Sequence, residues 1–223
     1  DIQLGKSESI GDTAAVLSRF LDGITYRCFG HADVTELART ASVPVINALS
    51  DMHHPCQSAA DLMAIREFAT SDGHIAWVGD GNNVCNSMIY GAALSGAQMS
   101  IATPKEFQPD KSVVKVSQNL TGIELTTDPL KAAKNADVVV TDTYSSIHNV
   151  DPKRMKKFLP KYQVNDRIMG IADENAIFLH CLPAKREQEV TSSVIDGPQS
   201  LVWDEAENRL HTQKALLCAL LHA

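Results

Sequence analysis

The chain lacks paired cysteines. Its five cysteines, at positions 28, 56, 85, 181 and 218, are widely spaced and include no C-x-x-C. Such an odd, scattered set excludes a disulfide framework and reads as free thiols in a reducing compartment. Cytoplasm is the expected location, with the mitochondrial matrix as the alternative. Positive charge is also scarce: 20 Lys and Arg stand against 27 Asp and Glu, a net charge of −7. Nucleic acid is therefore excluded as the main partner, because phosphate binding needs a basic face. A local basic pocket for a small anion remains compatible with that balance. No apolar run has the length of a transmembrane helix, so no membrane partner is expected. The opening Asp1-Ile2-Gln3-Leu4 carries neither a basic start nor an apolar h-region, so no signal peptide is visible. It also has no initiator Met, and the chain is expected to begin inside a longer natural protein. No internal repeat or low-complexity linker interrupts the sequence.

What is present is enough apolar material, 44% of 223 residues, for one large domain or two small ones. Helical and extended patterns alternate along it. Helices are expected at Asp12–Leu21, Val34–Thr40, Pro55–Phe68, Val84–Leu94, Pro109–Asn119, Pro129–Lys134, Asp151–Phe158, around Asp166–Ala172, and at Arg209–Leu221. Strands are expected at Ile24–Phe29, Val43–Leu49, Ile75–Val78, Gln98–Ala102, Ile123–Thr126, Val138–Thr141 and Ile177–Cys181, with Leu201-Val202-Trp203 as a short extended piece. The alternation implies βαβ crossovers, hence an α/β fold of two lobes, each a parallel sheet flanked by helices. The polar stretch Thr70-Ser71-Asp72-Gly73 marks the division between them.

The chemistry gathers where strands end and helices begin. His180-Cys181-Leu182-Pro183 closes the apolar run Ala176–Leu179, and the C-terminal edge of an open parallel sheet is where ligands bind. Cys181 there can touch a substrate, although most cysteines are inert and buried. His54-Pro55-Cys56-Gln57 puts an imidazole and an amide on the first turn of a helix, whose positive end favours an anion; a capped helix with a surface histidine is the plain alternative. Arg27, in an otherwise apolar strand, is costly unless paired, and at a sheet edge suits an oxyanion or phosphate. Gly79-Asp80-Gly81-Asn82-Asn83 follows a strand and precedes a helix. Its glycines permit a tight turn and close approach to a ligand, but Val84 replaces the third glycine of a dinucleotide fingerprint and no acidic residue follows the next strand, which disfavours nicotinamide. Asn82 and Asn83 can donate to a carboxylate or simply cap the helix. Asp142, at a strand terminus, suits an ammonium group or a turn cap. Arg209 is the strong cation near Asp204-Glu205. The basic run Lys153-Arg154-Met155-Lys156-Lys157 reads as a solvated helix face. His53, His54, Cys56, His180 and Cys181 fit no standard zinc spacing, so no metal is expected.

Phe178-Leu179-His180-Cys181-Leu182-Pro183 resembles the H-C-L-P motif of ornithine carbamoyltransferases. His54-Pro55-Cys56-Gln57 resembles their H-P-x-Q motif, shared with aspartate carbamoyltransferases, and Trp77–Asn83 resembles their D-G-N-N turn. Lys6–Ile10 and Glu205–Arg209 are similar as well, and the motifs run in the family's order over nearly the whole chain. The resemblance implies a partial carbamoyl-phosphate-binding domain over 1–70, an ornithine-binding domain over 71–208 and a C-terminal helix over 209–223. It implies transfer of the carbamoyl group of carbamoyl phosphate to the δ-amine of L-ornithine without a cofactor, in a homotrimer or a multiple of trimers. Arg27, His54 and Cys181 would be catalytic. Gln57, Leu182 and Arg209 would lie at the carbamoyl phosphate, and Asn83, Asp142, Ser146 and Ile147 at ornithine.

Two departures stand out. No S-x-R-T-R phosphate cradle occurs in the chain, which predicts weak or no turnover by this polypeptide alone. The family's S-M-G loop reads Ser146-Ile147-His148, which keeps putrescine or an acylated ornithine open as alternative amines. A non-catalytic paralogue that binds ligand or assembles with active subunits is the alternative to an enzyme.

Overall fold

The structure, a computed structural model, describes residues 8–69, 73–144 and 152–221. The described residues form two parallel sheets. The smaller pairs β1 (Ile24–Arg27) with β2 (Val45–Leu49), and its register shifts between Tyr26 and Arg27. Helices α1 (Ile10–Leu17) and α2 (His31–Thr40) lie beside it, and Ala14, Ile24 and Leu37 form its small buried core. Helix α1 begins ahead of the expected Asp12 because the Ser9 side chain accepts the Asp12 N–H and caps it. It closes before Phe20 and Leu21, where the backbone tightens to three-residue turns.

Helix α3 (Pro55–Phe68) has the expected bounds, with proline in its first turn where the missing N–H costs nothing. It leads to the larger sheet, built from β3 (His74–Val78), β4 (Gln98–Ala102), β5 (Ile123–Thr126), β6 (Val138–Thr141) and β7 (Ile177–His180), in the order β5-β4-β3-β6-β7 and parallel throughout. Helices α4 (Asn83–Ser95), α5 (Lys111–Ser117), α6 (Pro129–Ala133), α7 (Pro152–Phe158), α8 (Asp166–Met169) and α9 (Ser192–Ile195) connect and cover it. Side chains alternate across the pleat. Ile75, Trp77, Val138 and Val140 pack on one face against α4 and the Ala64 and Ile65 of α3, while Ala76, Val78, Val139 and Phe178 pack on the other against α6 and α8. Strand order reverses between β3 and β6. The crevice outside their carboxyl ends is the topological switch point at which open α/β sheets bind ligands.

The last helix differs from expectation. Helix α10 runs from Val202 to Leu221, so Val202 and Trp203 are helical rather than extended. The extended pairing lies just upstream, where Gln199 accepts the Phe178 N–H and Leu201 donates to Phe178. The signal in that triplet was a strand end displaced by a residue or two. In consequence Glu205, Asn208 and Arg209 sit within the helix, which packs along α3, and Asn208 donates to Glu67 at 2.8 Å.

Candidate active site

A cleft of about 970 Å³ opens where the C-terminal ends of both sheets meet. Its walls bring together Arg27 from the end of β1, His54 from the start of α3, Asn83 from the start of α4, Asp142 beyond β6, Cys181 and Leu182 beyond β7, and Arg209 from α10. The imidazole of one lobe and the thiol of the other thus share one concavity. Gln57 lies buried directly behind it. Ser146 and Ile147, together with His148, lie outside the described residues.

One side of the cleft is cationic. Arg27 is the last residue of β1 and is exposed to the cleft, not locked inside a strand as its apolar neighbours suggested. His54 is buried and caps α3, and its N–H donates to Ser87 Oγ of α4 at 2.7 Å, which ties the two lobes together. Burial, then the charges of Arg209 and Arg27, lower its imidazole to about 4. The ring is therefore neutral at pH 7 and offers a hydrogen bond rather than a charge. Arg209 Nη1 donates to Gln57 Oε1 at 2.6 Å. The buried His54 Nδ1 and Arg209 Nε have no partner among the described residues.

The opposite side is held by Asp142. Its Oδ2 accepts from Asn82 Nδ2 at 2.6 Å, and its Oδ1 accepts from the Thr143 N–H at 2.6 Å and from Cys181 Sγ at 3.2 Å. Burial first, then the negative charges of Asp142 and Glu205, push the Cys181 thiol well above its ordinary range. It is a neutral donor to Asp142, and the thiolate a base would require is disfavoured. Asn82 also caps α4, its Oδ1 accepting from Val84 and Cys85. Of the two readings the sequence allows for it, the helix cap holds, and its amide donates to the Asp142 carboxylate across the switch point. Asn83 lines the cleft, with its Nδ2 donating to Ser50 O at 2.7 Å.

The glycines of the preceding turn are required by the protein's own backbone. A Cβ on Gly81 would lie 2.2 Å from Pro109 N, and Gly79 takes φ +141° against Tyr144. Asp142, His180 and Cys181 each bring one donor atom within 4.8 Å of the others. As a metal site the set fits poorly. His180 Nδ1 accepts the Leu182 N–H, which leaves Nε2 to donate to Glu189, and the Cys181 thiol is protonated. Cys56 Sγ donates to Asn47 O, and the His53 ring meets that of His31 edge-on and lies tilted against Tyr90.

Sequence reasoning missed two groups. Arg154, read as part of a solvated face, is largely buried. It pairs with Asp80, donates to Tyr144 O at 2.9 Å and lies 4.1 Å from the Phe107 ring centroid. Only the three-dimensional approach of Asp80, distant in sequence, reveals this. The second group, Asp61 and Glu205 behind Gln57, left a faint signal. Asp61 follows Gln57 by one helical turn, on the same face.

Comparison with known proteins agrees with this geometry. Residues 71–220 match the family model described as aspartate/ornithine carbamoyltransferase, Asp/Orn binding domain, and residues 1–67 match that of the carbamoyl-P binding domain. The chain is 57% identical to the ornithine carbamoyltransferase of Cenarchaeum symbiosum over 99% of its own length and 74% of that protein. It is 49% identical to that of Caulobacter vibrioides over 97% of its length and 71% of that protein. The solved ornithine carbamoyltransferase from Pyrococcus furiosus superposes with a TM-score of 0.95 at 46% identity, covering the whole of this chain and 74% of that one.

Proposed function

Since this chain belongs to the aspartate/ornithine carbamoyltransferase family, we propose that it transfers the carbamoyl group of carbamoyl phosphate to the δ-amine of L-ornithine, giving L-citrulline and phosphate. The observation that carries the reading is the two-sided cleft, with cations and a neutral imidazole opposite a carboxylate that holds a thiol. Carbamoyl phosphate lies at Arg27, His54, Gln57, Leu182 and Arg209. The amino acid lies at Asn83 and Asp142, and by resemblance at Ser146 and Ile147, with Asp142 taking an ammonium group.

The neutral δ-amine attacks the carbamoyl carbon, so an N–C bond forms and the carbonyl oxygen gains negative charge. Arg27 and the imidazole of His54 stabilise that oxyanion. Collapse breaks the C–O bond to phosphate, which leaves toward the arginines, and the proton lost by the attacking amine passes to an oxygen of the departing phosphate. Cys181 contributes as a protonated thiol that positions Asp142 and the amine beside it. No step needs a metal or an organic cofactor. Assembly as a trimer, with sites at subunit borders, belongs to the same proposal.

The test is thermal denaturation with N-(phosphonoacetyl)-L-ornithine, which joins both substrates in one molecule. Binding to the folded state alone raises the midpoint in proportion to the logarithm of ligand concentration. The same experiment with N-(phosphonoacetyl)-putrescine should give a smaller rise, because it offers nothing to Asp142. No shift with either compound would defeat the proposal.

A further inference from the structure

Behind the cleft, two carboxyl groups meet on one amide. Gln57 Nε2 donates to Asp61 Oδ1 at 2.8 Å and to Glu205 Oε1 at 2.9 Å. Both acids are about 1% exposed. Glu205 Oε2 accepts the His180 N–H at 2.8 Å, and Gln57 Oε1 accepts from Arg209 at 2.6 Å. One amide thus joins α3 to α10, and Glu205 carries the link on to the last residue of β7. Neither acid is used in the reaction derived above.

Two carboxylates this close and this buried cannot both be ionised. We infer that Asp61 and Glu205 share a single proton and act together as positioning residues, fixing which way the Gln57 amide faces. This rests on the carbamoyl-transfer reading of the cleft. The logic is one of donors and acceptors. Arg209 offers only hydrogens, and both acids here need hydrogens. Only one orientation of the Gln57 amide serves all three: NH₂ toward the acids, oxygen toward Arg209 and the cleft. That oxygen keeps a second lone pair, and a carbamoyl NH₂ is the substrate group that can use it. A flipped amide would set NH₂ against guanidinium and against the carbamoyl NH₂.

The surrounding charges agree. Burial raises Asp61 to about 6 against the lowering effect of Glu205, Gln57 and Arg209, with Asp142 adding a smaller rise. Burial and then Asp61 push Glu205 well above the ordinary range, against the lowering influence of the His180 N–H and of Gln57. Both acids are raised, so at neutral pH the pair holds one proton between them and carries one negative charge facing Arg209.

The two acids then respond differently to conversion to amides. In Asp61→Asn the new NH₂ takes the place of the shared proton. It donates to an ionised Glu205, while the side-chain oxygen still accepts from Gln57. In Glu205→Gln the side-chain oxygen stays on the His180 N–H, which turns an NH₂ toward the NH₂ of Gln57 and forces the amide to flip.

The probe is phosphonoacetamide, which carries the carbamoyl-like amide without the labile P–O bond, titrated by calorimetry into the chain and its variants. Asp61→Asn should bind within about threefold of the parent and Glu205→Gln at least about tenfold more weakly, the difference of one charged hydrogen bond. Infrared difference spectroscopy at neutral pH should show a protonated-carboxyl stretch in the parent that disappears in each variant, because the remaining acid ionises. Equal binding by Glu205→Gln and the parent overturns the inference. So does a parent without that stretch, a measurement that stands even if a variant fails to fold. Failure of the underlying reading looks different: the parent itself would then show no amide-dependent binding while the infrared band persists.

Discussion

The two walls of the cleft are built on opposite terms. The wall raised on the five-stranded sheet satisfies itself. Asp142 already accepts three hydrogen bonds, from Asn82, Thr143 and Cys181, and each donor is placed by a strand end or a helix cap. The wall raised on the two-stranded sheet and the two long helices leaves polar groups over. His54 Nδ1 and Arg209 Nε are buried without partners among the described residues, and Arg27 projects from the end of its strand. A wall that keeps its donors unspent is prepared to receive a many-oxygened anion. A wall that is internally bonded is prepared to hold one charge in a fixed place for an amine. Burial cost explains the division of labour, since an unmatched buried group is tolerable only where a ligand supplies the match.

Arginine 209 offers the hardest strain on this contrast. Arg209→Ala removes the cation from Gln57 and from the cleft at once. It should weaken carbamoyl phosphate binding by about 2–5 kcal/mol, as truncation of a buried charged hydrogen-bond partner does, measured by calorimetry. Thermal stability should change far less, because the group serves the ligand more than the fold. A large loss of stability with unchanged binding would reverse the assignment of that wall.

Asp142→Asn tests the opposite wall more gently. The shape is kept while the charge is lost, and the amino-acid portion of the bisubstrate compound should lose about 1.5–3 kcal/mol. The same change removes a negative neighbour that raises the Cys181 thiol. Cys181 should then alkylate faster at mildly alkaline pH, followed by mass spectrometry at that cysteine. Unaltered reactivity would mean that burial and the charge of Glu205, rather than Asp142, set the thiol.

The smallest effect is the titration of His54, read by NMR of its ring. The folded protein should keep it neutral down to about 4. The sign for stability follows: the unfolded chain binds this proton below pH 6.5 and the folded chain does not, so His54 makes stability fall on acidification through that window. Asp61 and Asp80, both raised to about 6 by burial, act in the opposite sense, since they take up protons in the folded state before the unfolded chain does. The two trends offset one another, which is why the ring itself must be followed. An ordinary midpoint near 6.5 would show His54 to be more solvated than its burial implies.

Much of the cleft is legible in the sequence. His54 and Gln57 announce themselves because proline at a helix start leaves little choice of local structure, and α3 takes the expected bounds. Asp142 and Cys181 end β-branched and apolar runs that cannot be anything but buried strands, and both fall at the sheet's edge. Arg154 was misread because a helix with four basic residues in five looks solvated, and nothing local says that one of them meets Asp80. Val202 and Trp203 were misread because a short apolar triplet carries no period, and the pairing of Gln199 and Leu201 with β7 sets where the helix starts.

The order of strands and helices, the parallel sheets and the chemical character of each strand end were determined by sequence alone. They follow from local periodicity, from turn residues and from the rule that βαβ crossovers run one way. Which polar group answers which was decided only by the tertiary structure. Gln57 and Glu205 are 148 residues apart and Asp80 and Arg154 are 74, and no local pattern carries such pairings. They exist because burying a carboxyl or a guanidinium is costly until the fold brings its partner within hydrogen-bond reach.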